Sequence, residues 1–310
     1  MVDADTFLTT LYVTVDELMA RMALPRCSGR PMALSRSEVV TLALYGQWAH
    51  FGGEGAFYRY ADARLRDAFP RWPARSQLNR CRRACHGAIV AVGQALACWL
   101  DAPTCASEAL DSTGVVTRNS KRRGRGWLDG QSNKGWCTRL GWYHGVHLLV
   151  AVTPTGAITG FGVAPASVAD QDVAETFFAA RHCPQPALPE VGVPAGGVYL
   201  ADTGFEGDDR WHTWAGLYGA EVVCPPKPAY TRARCWPKPL RRAHAAQREI
   251  IETINHRLLN TFGLEHERPH ALAGVRARLA AKVALHNFCL WFNTQHDRSP
   301  LAFADLIDWP

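Results

Sequence analysis

The stretch GWYHGVHLLVAVTPTGAITGFGVAP, residues 141–165, decides the fold class. Apolar residues dominate 141–153 and 157–165, and the Pro-Thr-Gly run between them is typical of a turn, so the stretch predicts a β-hairpin. Around it, the patterns predict further strands at 106–116, 197–201 and 220–224 and helices at 170–180, 208–217 and 242–260. A hairpin followed by alternating strands and helices predicts an α/β fold with a mixed five-stranded sheet flanked by helices.

The first hundred residues have a different pattern. Apolar residues recur at helical spacing over 7–24, and Ser35 with Glu38 forms a capping box before a second helix that starts near Val39. A third helix begins near Ser76, and its first turns carry arginine and amide side chains. A helix that reads the major groove of DNA has this composition, and so does a helical cap with an arginine-rich surface.

These patterns divide the chain into three parts. We expect an all-helical N-terminal domain over 1–100 with a candidate helix-turn-helix, the α/β domain over 101–300, and a C-terminal tail over 301–310. With 310 residues, the chain is long enough to build its own core. The ten cysteines are scattered and contain no CxxC pair, so we expect reduced thiols rather than a disulfide scaffold or a zinc site.

Composition also excludes some classes of protein. No apolar stretch approaches the ~18–20 residues that a membrane-spanning helix needs, so we expect no membrane partner. The N-terminus is acidic where a signal peptide is basic, which favours a cytoplasmic protein.

The net charge of +6 is distributed in blocks. Residues 118–139 carry seven basic residues against one acid, 140–226 carry nine acids against two arginines, and 227–248 carry seven basic residues and no acid. An acidic middle between two basic segments suits a protein that grips a polyanion on both sides of a cation-binding site. Two solvated loops are the alternative interpretation.

Three acidic residues fall where the predicted sheet would bring them together. Asp111 lies within the first strand, where a lone charge among apolar neighbours is costly unless it binds something, and Asp202 ends the fourth strand. The last helix offers Glu249, opposite its apolar stripe, and Glu252, roughly 120° from the centre of that stripe. We choose Glu252 as the third catalytic and metal-binding residue. Carboxylates favour Mg²⁺ or Mn²⁺, and two such ions suit phosphodiester chemistry.

The residues around these acids resemble those of bacterial insertion-sequence transposases of the DDE type. The resemblance rests on Leu110-Asp111-Ser112, Ala201-Asp202-Thr203-Gly204-Phe205 and Arg248-Glu249-Ile250-Ile251-Glu252-Thr253, and it extends over about residues 35–300. It implies a ribonuclease H-like catalytic domain, strand cleavage and transfer at terminal inverted repeats, and a homodimer in a synaptic complex at the nucleoid.

The chain departs from the family pattern at some positions. The tyrosine expected before the helix arginine is Ala245, and the lysine expected after the glutamate is Leu259, so Arg257 is expected to supply that DNA contact. The predicted contacts to double-stranded DNA, in the terminal repeats and in the target, come from eleven basic residues: Arg80, Arg82, Arg83, Arg122, Arg123, Arg125, Lys134, Arg241, Arg242, Arg248 and Arg257.

Three alternatives compete with this interpretation. Asp202-Thr203-Gly204 matches the turn of pepsin-like aspartic proteases, but the long helices argue against that all-β class. The chain is alternatively a ribonuclease H-like nuclease without transposition, or a catalytically inactive DNA-binding protein. The last interpretation requires that the three acids do not converge.

Overall fold

The computed structural model describes residues 1–23, 32–118, 128, 130–183, 188–226, 236–264 and 270–309. It divides into two compact units, one made of Met1–Leu96 with Arg257–Pro310 and the other of Ala97–His256. The described cysteines are free thiols, and none of the described helices is long and apolar enough to cross a membrane.

Along the chain, the elements of the second unit lie between two groups of elements that belong to the first. In order they are β1 (Val2–Asp3), α1 (Ala4–Arg21), α2 (Arg36–Tyr45), α3 (Glu54–Arg64), α4 (Arg75–Ala84), α5 (His86–Trp99), β2 (Glu108–Arg118), β3 (Asn133–Cys137), β4 (Gly141–Val152), β5 (Ile158–Pro165), α6 (Asp170–Arg181), β6 (Val198–Leu200), α7 (Asp208–Tyr218), β7 (Glu221–Val223), α8 (Lys238–His256), α9 (Leu272–Gln295) and β8 (Ile307–Asp308).

The central unit contains a mixed sheet with the strand order β3-β4-β2-β6-β7. Strands β2, β6 and β7 run parallel, whereas β4 is antiparallel to β2, β3 and β5. The β3 strand pairs with the first part of β4 and β5 with the rest, so β3 and β5 follow one another along the same edge. The predicted hairpin and mixed sheet are confirmed. The sixth strand, β3, was not predicted because Asn-Lys-Gly-Trp-Cys is short and half polar.

Helices cover both faces of this sheet. Leu110 of β2 packs with the apolar side chains of α6 and α7, among which Phe178 and Trp214 are fully buried. On the opposite face, α8 contacts β2 and β6 and buries Ile251 and Ile254. Because side chains alternate along a strand, successive residues of β2 point to different helices.

The described part of the other unit is mainly helical, with one short sheet in which β1 pairs with β8. Its core contains Phe7 of α1, whose ring lies 5.3 Å from that of Phe288 and 5.5 Å from that of Phe292, both in α9. The predicted capping box is present, since Ser35 Oγ accepts from the Glu38 backbone N–H at 3.1 Å and the Glu38 carboxylate accepts from the Ser35 N–H.

Two helices differ from their predicted extents. The helix predicted from Ser76 consists of α4 and α5, which are separated at Cys85. The helix predicted over 242–260 begins earlier, at Lys238, and changes to a π-helical turn at Arg257–Thr261. The early start is compatible with Pro239, because the first turn of a helix does not use its backbone N–H groups in intrahelical bonds.

Candidate active site

Asp111 lies in the middle of β2 and points towards α8. The Asn255 side chain donates a hydrogen bond from Nδ2 to Asp111 Oδ2 at 2.9 Å. The Arg248 guanidinium lies 3.8 Å from Asp111 Oδ1. The Asp111 side chain is 22% exposed, so its carboxylate is partly open to solvent although two residues of α8 hold it.

Asp202 lies beside Asp111 because of the register of the two parallel strands. Ala109 of β2 pairs with Leu200 of β6, and Asp111 and Asp202 each follow their partner by two residues. Asp202 also starts a 3₁₀ turn over Thr203–Phe205, in which its Oδ1 accepts the Gly204 N–H at 2.7 Å. This side chain therefore shapes the turn and also contributes its charge to the site.

A further carboxylate, Asp170, reaches the same place from the start of α6. Its Oδ1 accepts a hydrogen bond from Ser112 Oγ at 2.5 Å and lies 3.6 Å from Nδ1 of the buried His147. A Cβ at Gly204 would lie 2.8 Å from Asp202 Oδ1 and 3.5 Å from Asp170 Oδ2. Only glycine fits between these two carboxylates without displacing them.

Charge and burial combine to perturb Asp111. The pKa of Asp111 is raised to about 7, chiefly by burial; the negative charges of Asp202 and Asp170 contribute to the rise, while Arg248 opposes it. The carboxylates of Asp202 and Asp170 thus act on that of Asp111, and the Arg248 guanidinium opposes their effect. Such a site is short of positive charge, which a divalent cation would supply.

Glu252 lies on the helix that holds Asp111. It is exposed and stands four residues after Arg248 and three before Asn255, so all three share one face of α8. Within the described ranges, no three acidic, histidine or cysteine side chains are grouped closely enough to hold one metal ion. The structure therefore places Asp111 and Asp202 next to each other. Glu252 lies on the neighbouring helix and is not grouped with them closely enough to bind one metal ion.

Sequence reasoning missed three residues of this site: Asp170, His147 and Asn255. The hairpin gave a signal for His147, because β4 pairs it with Gly114, two residues after Ser112. The spacing from Glu252 gave a signal for Asn255, which is one helical turn further along α8. No local pattern marked Asp170, whose contact to Ser112 joins two distant segments.

The predicted DNA-binding residues fall into three groups. Arg80, Arg83, Lys134, Arg241 and Arg242 are exposed. Others are partly or fully covered: Arg248 lies beside Asp111, Arg257 lies over the Phe303 ring at 5.6 Å, and Arg82 is only 6% exposed and lines a cavity with Glu54. Arg122, Arg123 and Arg125 lie outside the described residues.

The strand order, the helices on both sheet faces, and the acids within β2 and just after β6 define a ribonuclease H-like domain. A model of the transposase DDE domain family matches residues 109–288, more than half of the chain. The protein therefore belongs to the DDE transposase family. No curated protein and no solved structure matches the chain significantly.

Proposed function

We propose that the protein cleaves and joins DNA strands at the ends of an insertion sequence, with Asp111, Asp202 and Glu252 as the catalytic carboxylates. The observation that carries this proposal is the adjacency of Asp111 and Asp202 on parallel strands, with α8 packed against the first of them. Arg248 and Asn255 approach Asp111 from positions on either side of Glu252 along the same helix face, which supports Glu252 as the third carboxylate.

The donor chemistry of this site fits Mg²⁺ or Mn²⁺. Asp111, Asp202 and Glu252 are hard oxygen donors. The pKa of Asp111 is raised mainly by burial, and the charges of Asp202 and Asp170 add to the shift, so a bound cation would favour its ionised form. These three residues would hold two metal ions, which would activate the attacking oxygen and stabilise the leaving oxygen of the phosphodiester.

The residues around the triad orient it. Asn255 fixes one oxygen of Asp111 by donating to it, and Arg248 limits the repulsion between neighbouring carboxylates. Asp170 accepts a hydrogen bond from the Ser112 hydroxyl. This contact connects the start of α6 to β2, next to the catalytic aspartate. Each contact reduces the freedom of a group that must be in place before a phosphate approaches.

The triad is tested by alanine substitution in the full chain. Asp111→Ala, Asp202→Ala and Glu252→Ala should each lower the rate of Mg²⁺-dependent cleavage by about a thousandfold or more, since metal stabilisation contributes several kcal/mol. Glu249→Ala is the matched control, because this glutamate is exposed on the same helix. The assay is single-turnover cleavage of a duplex that carries the element's own end.

Binding of the same duplex, measured without divalent metal, should persist in all four variants. Retained cleavage in any of the three triad variants would overturn the assignment of that residue. Cleavage without joining to a target duplex would favour the alternative, a nuclease that does not transpose. Binding without any cleavage by the unsubstituted protein would favour an inactive DNA-binding protein.

We further propose that double-stranded DNA, both terminal repeat and target, is held by exposed arginines such as Arg80, Arg83, Arg241 and Arg242, in a homodimeric synaptic complex at the nucleoid. The support is the exposure of these side chains and the clustering of positive charge on either side of the acidic middle of the sequence. Arg242→Ala should reduce the slope of log affinity against log salt by about one unit, as measured by fluorescence anisotropy. An unchanged slope would remove Arg242 from the DNA interface.

A further inference from the structure

The hairpin of β3 and β4 presents two large aromatic side chains to solvent. Trp136 is 56% exposed and Trp142 is 66% exposed. They are directly paired across the two antiparallel strands, so both side chains project from the same face of the hairpin. Exposed tryptophans are costly unless they serve an interaction, and two adjacent ones form a contiguous apolar surface.

This aromatic surface is accompanied by positive charge. Lys134, two residues before Trp136, places its ammonium 4.8 Å from the centre of the Trp142 ring. On the same face, the Arg118 guanidinium lies 2.8 Å from Nε2 of His144, the residue that pairs with Lys134. No aspartate or glutamate occurs anywhere in residues 133–152. The partner of this surface is therefore expected to be anionic and to offer flat rings.

The surface lies on the same face of the sheet as the catalytic aspartate. Asp111 pairs with Val150, and Val150 and Trp142 are separated by an even number of residues of β4. Since alternate residues of a strand share a face, the tryptophans and Asp111 point the same way. At ~3.3 Å per residue, Trp142 lies roughly 26 Å from Val150 along the strand, about the length of eight base pairs.

We infer that Trp136, Trp142 and Lys134 form a platform on which unpaired bases of the DNA substrate stack. A paired duplex hides the faces of its bases, so a flat aromatic surface gains from DNA only where bases are unstacked, as in single-stranded segments. Lys134 adds attraction to the phosphates of the same strand. The platform rests on the proposed function, because that function supplies the DNA.

The experiment compares two DNA probes that share one sequence and are bound by the full-length protein in the absence of divalent metal. One probe is a fully paired duplex, and the other ends in a short unpaired tail that contains 2-aminopurine. Trp142→Ala should weaken binding of the tailed probe by about 5- to 150-fold and abolish the quenching of 2-aminopurine, because stacking on one aromatic residue contributes that much. Binding of the paired probe should change by less than about twofold on the same grounds. Trp142→Phe, which keeps a ring, should recover part of the affinity.

Leu217→Ala is the matched control, since Leu217 is 71% exposed on α7 of the same unit. Equal weakening of both probes by Trp142→Ala would overturn the platform, and so would unchanged binding of both. A shift from dimer to monomer in light scattering, without loss of tail binding, would instead make this face a contact between two copies. This test does not depend on the test of the triad. Cleavage that survives Asp111→Ala would refute the proposed function, but it would not alter binding of the tailed probe.

Discussion

Strand β2 carries two carboxylates that have opposite surroundings. Glu108 is fully buried, and its Oε1 accepts hydrogen bonds from Arg181, at 2.8 Å, and from the Thr159 hydroxyl. Its Oε2 accepts the Ala195 N–H at 3.1 Å. The side chains of Glu108 and Arg181 have no exposed surface. This end of the strand holds a closed ion pair in which the negative charge is matched.

Three residues further along, Asp111 has no such balance. Its nearest guanidinium, that of Arg248, stands 3.8 Å away, and two other carboxylates act on it. Glu108 and Asp111 point to opposite faces of the sheet, one towards α6 and the other towards α8. The comparison teaches that burial alone does not distinguish a structural acid from a functional one. The distinguishing property is whether the surrounding residues already neutralise it.

The largest expected effect concerns the closed pair. Arg181→Ala leaves Glu108 buried without its counter-charge and should lower the free energy of unfolding by about 3–5 kcal/mol. Arg210→Ala is the control, because its ion pair with Asp172 lies at the surface, where the loss should be about 1 kcal/mol or less. Urea denaturation monitored by circular dichroism measures both. Similar small losses in the two variants would mean that the buried pair is not the structural element we describe.

Removing the charge of Asp111, in contrast, should raise the free energy of unfolding. The pKa of Asp111 is about 7 in the folded protein, above the ordinary aspartate value of 3.8, so the folded state binds more protons between these two values. Its contribution to stability is therefore present at low pH and lost as the pH rises towards 7. Asp111→Asn removes this loss and should stabilise the metal-free protein, by up to about 4 kcal/mol at about pH 8 and by much less at about pH 5.

The control for this substitution is Glu249→Gln, which alters an exposed acid on α8 and should leave the pH dependence of stability unchanged. Urea denaturation at both pH values, with a chelator present, provides the measurement. A gain in stability that is the same at both pH values would show that Asp111 is not the titrating group.

The sequence predicted those features that depend on local patterns. The β4–β5 hairpin follows from two apolar runs around a Pro-Thr-Gly turn, and Asp111 and Asp202 are recognisable from their positions in strands. The burial of Arg82 was also within reach, because it stands one helical turn after the buried Leu78 on α4. The prediction that Arg82 contacts DNA did not take that spacing into account.

Other features depend on packing between distant segments. Asn255 reaches Asp111 from a helix that lies 144 residues away in sequence, and Asp170 reaches Ser112 across 58 residues. No local pattern marks Asp170. The helical spacing places Asn255 on the same face as Glu252, but a polar side chain on that face is compatible with solvent exposure as well as with a site. The distinction between Glu108 and Asp111 has the same origin, since Arg181 comes from α6.

The smallest of these effects tests whether Asn255 positions Asp111, the proposed catalytic aspartate. Asn255→Ala removes the donor to Asp111 Oδ2 and should lower the cleavage rate about 10- to 100-fold, the usual cost of losing a residue that orients a metal ligand. The apparent affinity for Mg²⁺ should fall with it, because Asp111 would no longer be held in one orientation. Asn255→Asp should be more damaging than Asn255→Ala, since it adds a negative charge that repels Asp111.

Thr253→Ala is the control on the same helix, because the Thr253 hydroxyl donates to the Glu249 carbonyl of its own helix, at 3.4 Å. Single-turnover cleavage over a titration of Mg²⁺ separates two explanations. A purely structural role for Asn255 would lower the amount of active protein and leave the Mg²⁺ dependence unchanged, whereas a positioning role shifts the midpoint of the titration. An unshifted midpoint would therefore place Asn255 with Arg181, among the residues that serve only the fold.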